Sequence, residues 1–276
     1  YGDTLKQSPT LLITRGCSPL GQALARAAAG HYRVAIASDD TRTGSALCRS
    51  LHEDGHEALF IETTTGNAQD IQRGINRVLR RWQQRDVIIN LPGNLLVVPF
   101  EATQEQQWQA LASEQKMHVV HNCQSALTAM KKQGNGRIIN VVPDCGLLAG
   151  PLTSASSSTY AGIVALTESL NSELANSPVN AALIALPLYR ELSEQLDATD
   201  PLSQARFERK IRDSLDTARS LSADIIAMLD KPESATLHLP SAPTRAHWRL
   251  KRWFRKRWDN KMQQRGQRYR RREPEP

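Results

Sequence analysis

Three stretches of this 276-residue chain hold residue types at spacings that could do chemistry. The first is 154–170, SASSSTYAGIVALTESL, where Ser154, Ser156, Ser157 and Ser158 precede Tyr160 at the head of an apolar helix-period segment. Hydroxyls and a phenol so grouped suit nucleophilic attack or proton transfer, if a base or a cation activates them. Asp144 and His121 are the candidate partners for such a role. No G-x-S-x-G frame surrounds the serines, which favours an ordinary serine-rich turn entering a helix. The second stretch is Thr14-Arg15-Gly16-Cys17-Ser18-Pro19-Leu20-Gly21, a turn between an apolar run and a helix-period segment. Backbone N–H groups at such a place can hold a phosphate. Ser18 as N-cap and Pro19 as first helical residue equally describe a plain capped helix start, with Arg15 beside it as the remainder of an anion site. The third is a basic, aromatic tail at residues 244–276.

Metal and thiol chemistry find little support. Cys17, Cys48, Cys123 and Cys145 are scattered without ligand spacing, and no H-x-x-E-H or C-x-x-C pattern occurs. They read as reduced thiols of a cytoplasmic protein, and no metal is expected. The start, YGDTLKQSPT, has neither a basic end nor an apolar core, so it does not read as a signal peptide; it also lacks an initiator Met. No apolar run reaches the length of a bilayer span.

The elements that must position these residues follow an alternating pattern. Short apolar runs predict strands at 11–14, 33–37, 58–61, 86–90, 136–142, 181–186 and 235–239. Helix-period segments between them predict helices at 20–29, 43–52, 68–82, 105–131, 156–175, 201–216 and 222–229. Strand and helix in alternation imply a doubly wound parallel sheet between two helical layers, with ligands at the carboxyl ends of the strands. One such domain over 1–243, with a basic tail over 244–276, is the expected organisation.

From about Ser8 to Pro240 the chain resembles the short-chain dehydrogenase/reductase family. The resemblance rests on TRGCSPLGQALA after the first strand, DVIINLPG at the fourth and the helix from Trp108 to Met130. It continues through KKQGNGRIINVVPDCGLLAG, the helix ending LTESLNSEL and the strand ending at Pro187. It implies a Rossmann-like fold that binds NAD or NADP and transfers hydride. Carried over residue by residue, the functional positions are altered. Of the family's TGxxxGxG turn, Thr14 and Gly21 stand in register, with Arg15 and Pro19 at the first two glycine positions and Gly16 between them. Ser38, followed by Asp39, falls where an acidic residue would hold the ribose of NAD, and Thr63 where an aspartate would meet adenine. The NNAG motif becomes Asn90-Leu91-Pro92-Gly93, keeping Asn90 and Gly93, and the Pro-Gly after the sixth strand becomes Pro187-Leu188.

The family's Asn-Ser-Tyr-Lys tetrad maps onto Gln115, Pro143, Ser156 and Tyr160. Serine is a poor proton carrier near neutral pH, proline has no side-chain donor, and tyrosine brings no cation to the lysine position. The expectation is therefore a catalytically inactive family member without a cofactor, used as a binding, scaffold or regulatory subunit. The alternative is an atypical NADP-dependent reductase with Arg15 on the extra phosphate and Tyr160 as a displaced acid. The long helices at 105–131 and 156–175, which pair subunits in the family, imply a homo-oligomer or assembly with a relative.

The tail holds 13 Lys/Arg against 3 Asp/Glu, a net +10 in a chain of net +7, so the remainder is mildly acidic. Trp248, Arg249, Lys251, Arg252, Trp253, Phe254, Arg255, Lys256, Arg257 and Trp258 form its densest part. On a helix, Leu250, Trp253, Phe254 and Trp258 would share one face, with Arg257 intruding. Residues 263–272 read as extended or disordered. Such a segment suits an anionic membrane surface, for a cytoplasmic protein the inner face, or single-stranded nucleic acid, or docking of its apolar face on protein.

Overall fold

The computed structural model describes residues 8–84, 86–198, 200–231 and 236–270. Its main sheet has seven parallel strands: β1 (Thr10–Thr14), β2 (Arg33–Ser38), β3 (Ala58–Glu62), β4 (Val87–Asn90), β6 (Gly136–Pro143), β7 (Val179–Leu186) and β9 (Leu237–His238). Their spatial order is β3-β2-β1-β4-β6-β7-β9. The chain winds outward from β1 in one direction, then returns to start again at β4. The β1/β4 boundary is thus the topological switch point, where a crevice opens beyond the strand ends. The expected doubly wound, three-layer architecture is present.

The helices are α1 (Pro19–Ala28), α2 (Thr41–Glu53), α3 (Ala68–Trp82), α4 (Glu105–Leu111), α5 (His118–Gln133) and α6 (Ser154–Glu173), then α7 (Pro201–Arg212), α8 (Ala218–Leu229), α9 (Ala242–Trp253) and α10 (Arg255–Arg270). Side-chain alternation along the strands assigns the two layers. Leu11, Ile13, Ile89 and Ile139 pack with Leu20 and Leu24 of α1 and Leu221 and Ile225 of α8. Leu12, Ile88 and Ile138 point the other way, onto Ile71 and Ile75 of α3, Val119 of α5 and Ile163 of α6. Both faces are covered, which is why these strands read as continuous apolar runs.

Several boundaries differ from expectation through local caps. Asp40 caps α2 by accepting from the Thr43 N–H, starting it two residues early. A capping box of Thr217 and Ser220 starts α8 at Ala218 and leaves a turn after α7 in place of one helix to residue 216. Two short strands, β5 (Leu95–Val97) and β8 (Leu196–Ala198), were not anticipated; they form a separate parallel pair. Of the predicted strand 235–239, Ala235 lies outside the described residues.

The tail is folded. Helix continues through 263–270, where extended or disordered chain was expected; residues 271 and 272 lie outside the described residues. The single apolar face also fails, because the chain breaks at Phe254 (φ −131, ψ 54) between α9 and α10. Trp258 is 4% exposed and, with Trp248, Leu250 and Met262, joins the core under α5 and α6. Trp253 and Phe254 point outward, 72% and 53% exposed. Helix α9 is fastened to the turn after β6: the Thr244 hydroxyl donates to Asp144 Oδ2 and the Lys251 amine to the Leu147 carbonyl. Helix α10 reaches α7, where Lys210 Nζ donates to Tyr269 Oη at 2.7 Å and Arg206 lies over the Tyr269 ring. No described helix is long and apolar enough to cross a membrane.

Candidate functional site

The turn from β1 into α1 forms one wall of the switch-point crevice. Ser18 caps α1, its hydroxyl accepting from the Gly21 N–H at 3.1 Å, and Pro19 follows as first helical residue. Gly21 is required by packing alone: a Cβ there would lie 2.6 Å from the Gly16 carbonyl oxygen. Gly16 is held equally close, its own Cβ falling 2.6 Å from Ile36 Cγ2. The glycines that remain are those the helix-on-strand contact demands.

Arg15 takes a left-handed conformation (φ 52) that ordinarily favours glycine. Its side chain crosses the crevice from the end of β1 to the end of β4. A Cβ on Gly93 would lie 2.5 Å from Arg15 Nη1, and Arg15 Nη2 donates to the Glu114 carbonyl. The Nε is buried without a hydrogen-bond partner. Burial lowers the guanidinium pKa, and the nearby Tyr160, Glu114 and Asp39 act against that shift.

On the far side of Arg15 the tetrad positions are sealed. Gln115 sits in a π-helical segment (Ala112–Met117) between α4 and α5, which turns its side chain inward. Its Oε1 accepts from the Gly93 N–H at 2.9 Å. Tyr160 is fully buried, and its hydroxyl proton is shared among the Gly93 and Asn94 carbonyls, each at 3.3 Å, and Gln115 Oε1 at 3.4 Å. Burial raises the phenol pKa well above its ordinary value, and the Arg15 charge offsets only part of that. Ser156, also fully buried, donates to the Leu96 carbonyl at 3.0 Å and accepts from the Leu96 N–H at 2.9 Å. Its hydroxyl is committed to holding β5 against α6. Pro143 ends β6 in register with Leu186. Gln115 and Tyr160 are thus brought together, while Ser156 is turned away to β5.

The segments after β4 and β7 border the crevice in a doubly wound fold. Here they pair as β5 and β8, and Leu96, Val98, Leu111 and Ala155 form a small apolar cluster beneath them. What stays open is a cleft of about 460 Å³ on the β2–β3 side of Arg15. Arg15, Ser18, Ser38, Asp39, Asp40, Thr63, His118 and Glu194 line it. Ser38 is turned to its own loop, accepting from the Asp40 N–H at 3.2 Å. His118 accepts from the Gly66 N–H and is held neutral, its pKa pushed down to about 3 by burial and the Arg15 and His121 charges. Glu194 and His118 carried no motif in the sequence; their place in the cleft comes from how β8 and the π-segment fold. Beneath the cleft a buried polar chain runs across the sheet. Thr14 donates to Asn90 Oδ1, Asn90 to Asn140 Oδ1 at 2.8 Å, and Asn140 to the Thr167 hydroxyl at 2.9 Å. Asn90 is therefore a structural tie between β4 and β6.

The serine-nucleophile constellation does not assemble. The Ser157 hydroxyl is bonded to that of Thr153, Ser158 donates to the Ala155 carbonyl, and the Asp144 carboxylate is taken by Thr244 of α9. Among the described residues no three His, Cys, Asp or Glu side chains are gathered for a metal ion. In this arrangement the Arg15 side chain spans the switch point, and the Tyr160 hydroxyl is met by Gly93, Asn94 and Gln115 and, among the described residues, by no lysine.

Residues 9–193 match the family model for short chain dehydrogenase. The chain is 26% identical over 197 residues to the 3-oxoacyl-[acyl-carrier-protein] reductase of Synechocystis sp., covering 70% of this chain and 79% of that protein. It is 30% identical over 177 residues to the probable galactose dehydrogenase GalD of Rhizobium meliloti, covering 63% and 69%. Among solved structures, a short chain dehydrogenase/reductase from Burkholderia phymatum in complex with NAD is alike in fold, with a TM-score of 0.80 at 18% identity over 89% of this chain and 93% of that one. A short-chain dehydrogenase from Streptomyces avermitilis gives 0.78 at 21% identity over 92% and 97%.

Proposed function

The chain belongs to the short-chain dehydrogenase family, and we propose that it keeps the family's scaffold without its hydride transfer, acting as a binding, scaffold or regulatory subunit. Its named relatives are oxidoreductases. The observation that carries the reading is the state of the two positions where the family's tyrosine and lysine would stand. Ser156 has both hydrogen-bonding roles satisfied by the Leu96 backbone, and Tyr160 is sealed beneath Arg15 with its phenol held protonated. A group that cannot release its proton or meet a substrate carbonyl cannot serve as general acid or base.

The reading extends to partners. The outer faces of α5 and α6 serve as an assembly surface for a second copy or a relative, and the basic tail meets an anionic partner or another protein. A homo-oligomer would appear in light scattering as a mass at a whole multiple of 30.7 kDa.

A second reading is favoured by one observation, the buried, unpartnered Arg15 Nε at the crevice. An anionic oxygen there would satisfy it, as the phosphate of NADP would in an atypical reductase using Tyr160 as acid. Titration calorimetry with NADH and NADPH separates the two. The inactive reading predicts no heat and no thermal shift with either; micromolar binding of NADPH would replace it with the reductase.

A further inference from the structure

We propose that the corner between α9 and α10 docks this protein onto an anionic phospholipid surface. Residues 252–257, Arg-Trp-Phe-Arg-Lys-Arg, are all exposed, an unbroken run of four cations and two large aromatics. The neighbouring apolar residues face the other way: Trp248, Leu250, Trp258 and Met262 pack on the domain. Trp253 and Phe254 are therefore not core residues left partly uncovered. The helix break at Phe254 sets them outward while both flanking helices are tied down, α9 to Asp144 and Leu147, α10 to α7. A rigidly presented corner loses little conformational entropy on docking.

Charge and ring geometry select the occupant. Among the described residues Arg255 is paired with Asp259, whereas Arg252, Lys256 and Arg257 have no ion-pair partner. The Arg252 guanidinium lies 6.0 Å from the Trp253 ring centroid and that of Arg257 lies 5.4 Å from that of Phe254. Each ring thus has an arginine over one of its two faces, which leaves a nucleobase only the other for stacking. An aromatic body entering the acyl boundary with cations at headgroup level uses the same arrangement as it stands. The proposal deepens the anionic-partner part of the functional reading and rests on the tail alone. Vesicle binding and nucleotide titration therefore succeed or fail separately.

The test is flotation of the full chain with phosphatidylcholine vesicles containing a third phosphatidylglycerol, against phosphatidylcholine alone, at low and high salt, with single-stranded oligo-dT assayed in parallel. Binding is expected only to the anionic vesicles and is lost in high salt. W253A/F254A, at exposed positions, should weaken it about tenfold or more. R252Q/K256Q/R257Q should weaken it about a hundredfold, at roughly fivefold per cation. Circular dichroism of both variants should match the parent. Absence of vesicle binding, equal binding to neutral vesicles, affinity unchanged in both variants, or binding to oligo-dT in preference to vesicles would each overturn the proposal.

Discussion

Arg15 holds two unfavourable conditions at once, a left-handed backbone and a partly buried charge. Such a backbone costs a non-glycine residue about 1 kcal/mol or more. Arg15→Gly removes both along with the bond to Glu114, so its melting temperature should stay within a few degrees of the parent. It should also open the switch point, and calorimetry should then detect NADH or NADPH binding at least tenfold tighter than in the parent. Ser156→Ala gives the opposite kind of result. It leaves the N–H and carbonyl of Leu96 without their partner, at a cost of about 2 kcal/mol by denaturant unfolding, as a structural tie would. His118 supplies a pH signature. Its pKa is pushed down to about 3 from an ordinary 6.5, so below pH 6.5 the unfolded chain takes up a proton that the native state refuses. Stability should fall by about 1.4 kcal/mol per pH unit at most as pH drops through that window, and His118→Gln should flatten this slope in pH-dependent melts. The helix that carries Ser156 and Tyr160 was legible from its period along the sequence. The tie made by Ser156 was not, because its partner is backbone 60 residues away.

Among the elements, the α1 entry shows how close packing alone holds a glycine in place. Gly21→Ala would drive a methyl into the Gly16 backbone, which cannot move aside as a side chain could. A loss of about 3 kcal/mol is expected by chemical denaturation, with or without nucleotide present. The tail makes a second case. Trp258→Ala should cost about 3 kcal/mol or release the tail to limited proteolysis near Phe254, while Trp253→Ala should change stability by under about 0.5 kcal/mol. Removing the tail outright would strip cover from the core beneath Trp258, so point variants are the cleaner probe. Asp144, tucked under α9, has its pKa pushed up to about 6 from 3.8 by burial. The native state holds that proton more tightly, so this contribution is present at low pH and lost as pH rises through 6. Asp144→Asn keeps an acceptor for Thr244 and should stabilise the protein by about 1 kcal/mol at pH 7, less at pH 4, discounting for partial exposure. The long strands and helices were legible because both sheet faces are buried. Strands β5 and β8 were not, since three residues carry no period. The helicity of 263–270 escaped because its polar sequence carries no apolar period, and its contacts, Tyr269 on Arg206 and Lys210, lie far off along the chain.

At the scale of the molecule, residues 1–243 are mildly acidic in sum, and the strongly basic segment that follows packs on them as α9 and α10. Helices α9 and α10 bridge the turn after β6 and helix α7, both at the carboxyl end of the sheet. The crevice at that end also changes how the protein's stability relates to its surroundings. A nucleotide-binding relative gains stability with the logarithm of free ligand, so its resistance to unfolding follows the supply of cofactor. Here the crevice is occupied by a guanidinium on the same chain, a tethered occupant whose effective concentration is fixed by the backbone. On the proposed reading without a cofactor, the fold's ligand-linked stabilisation would become a constant, the same in a cofactor-rich cell and a depleted one.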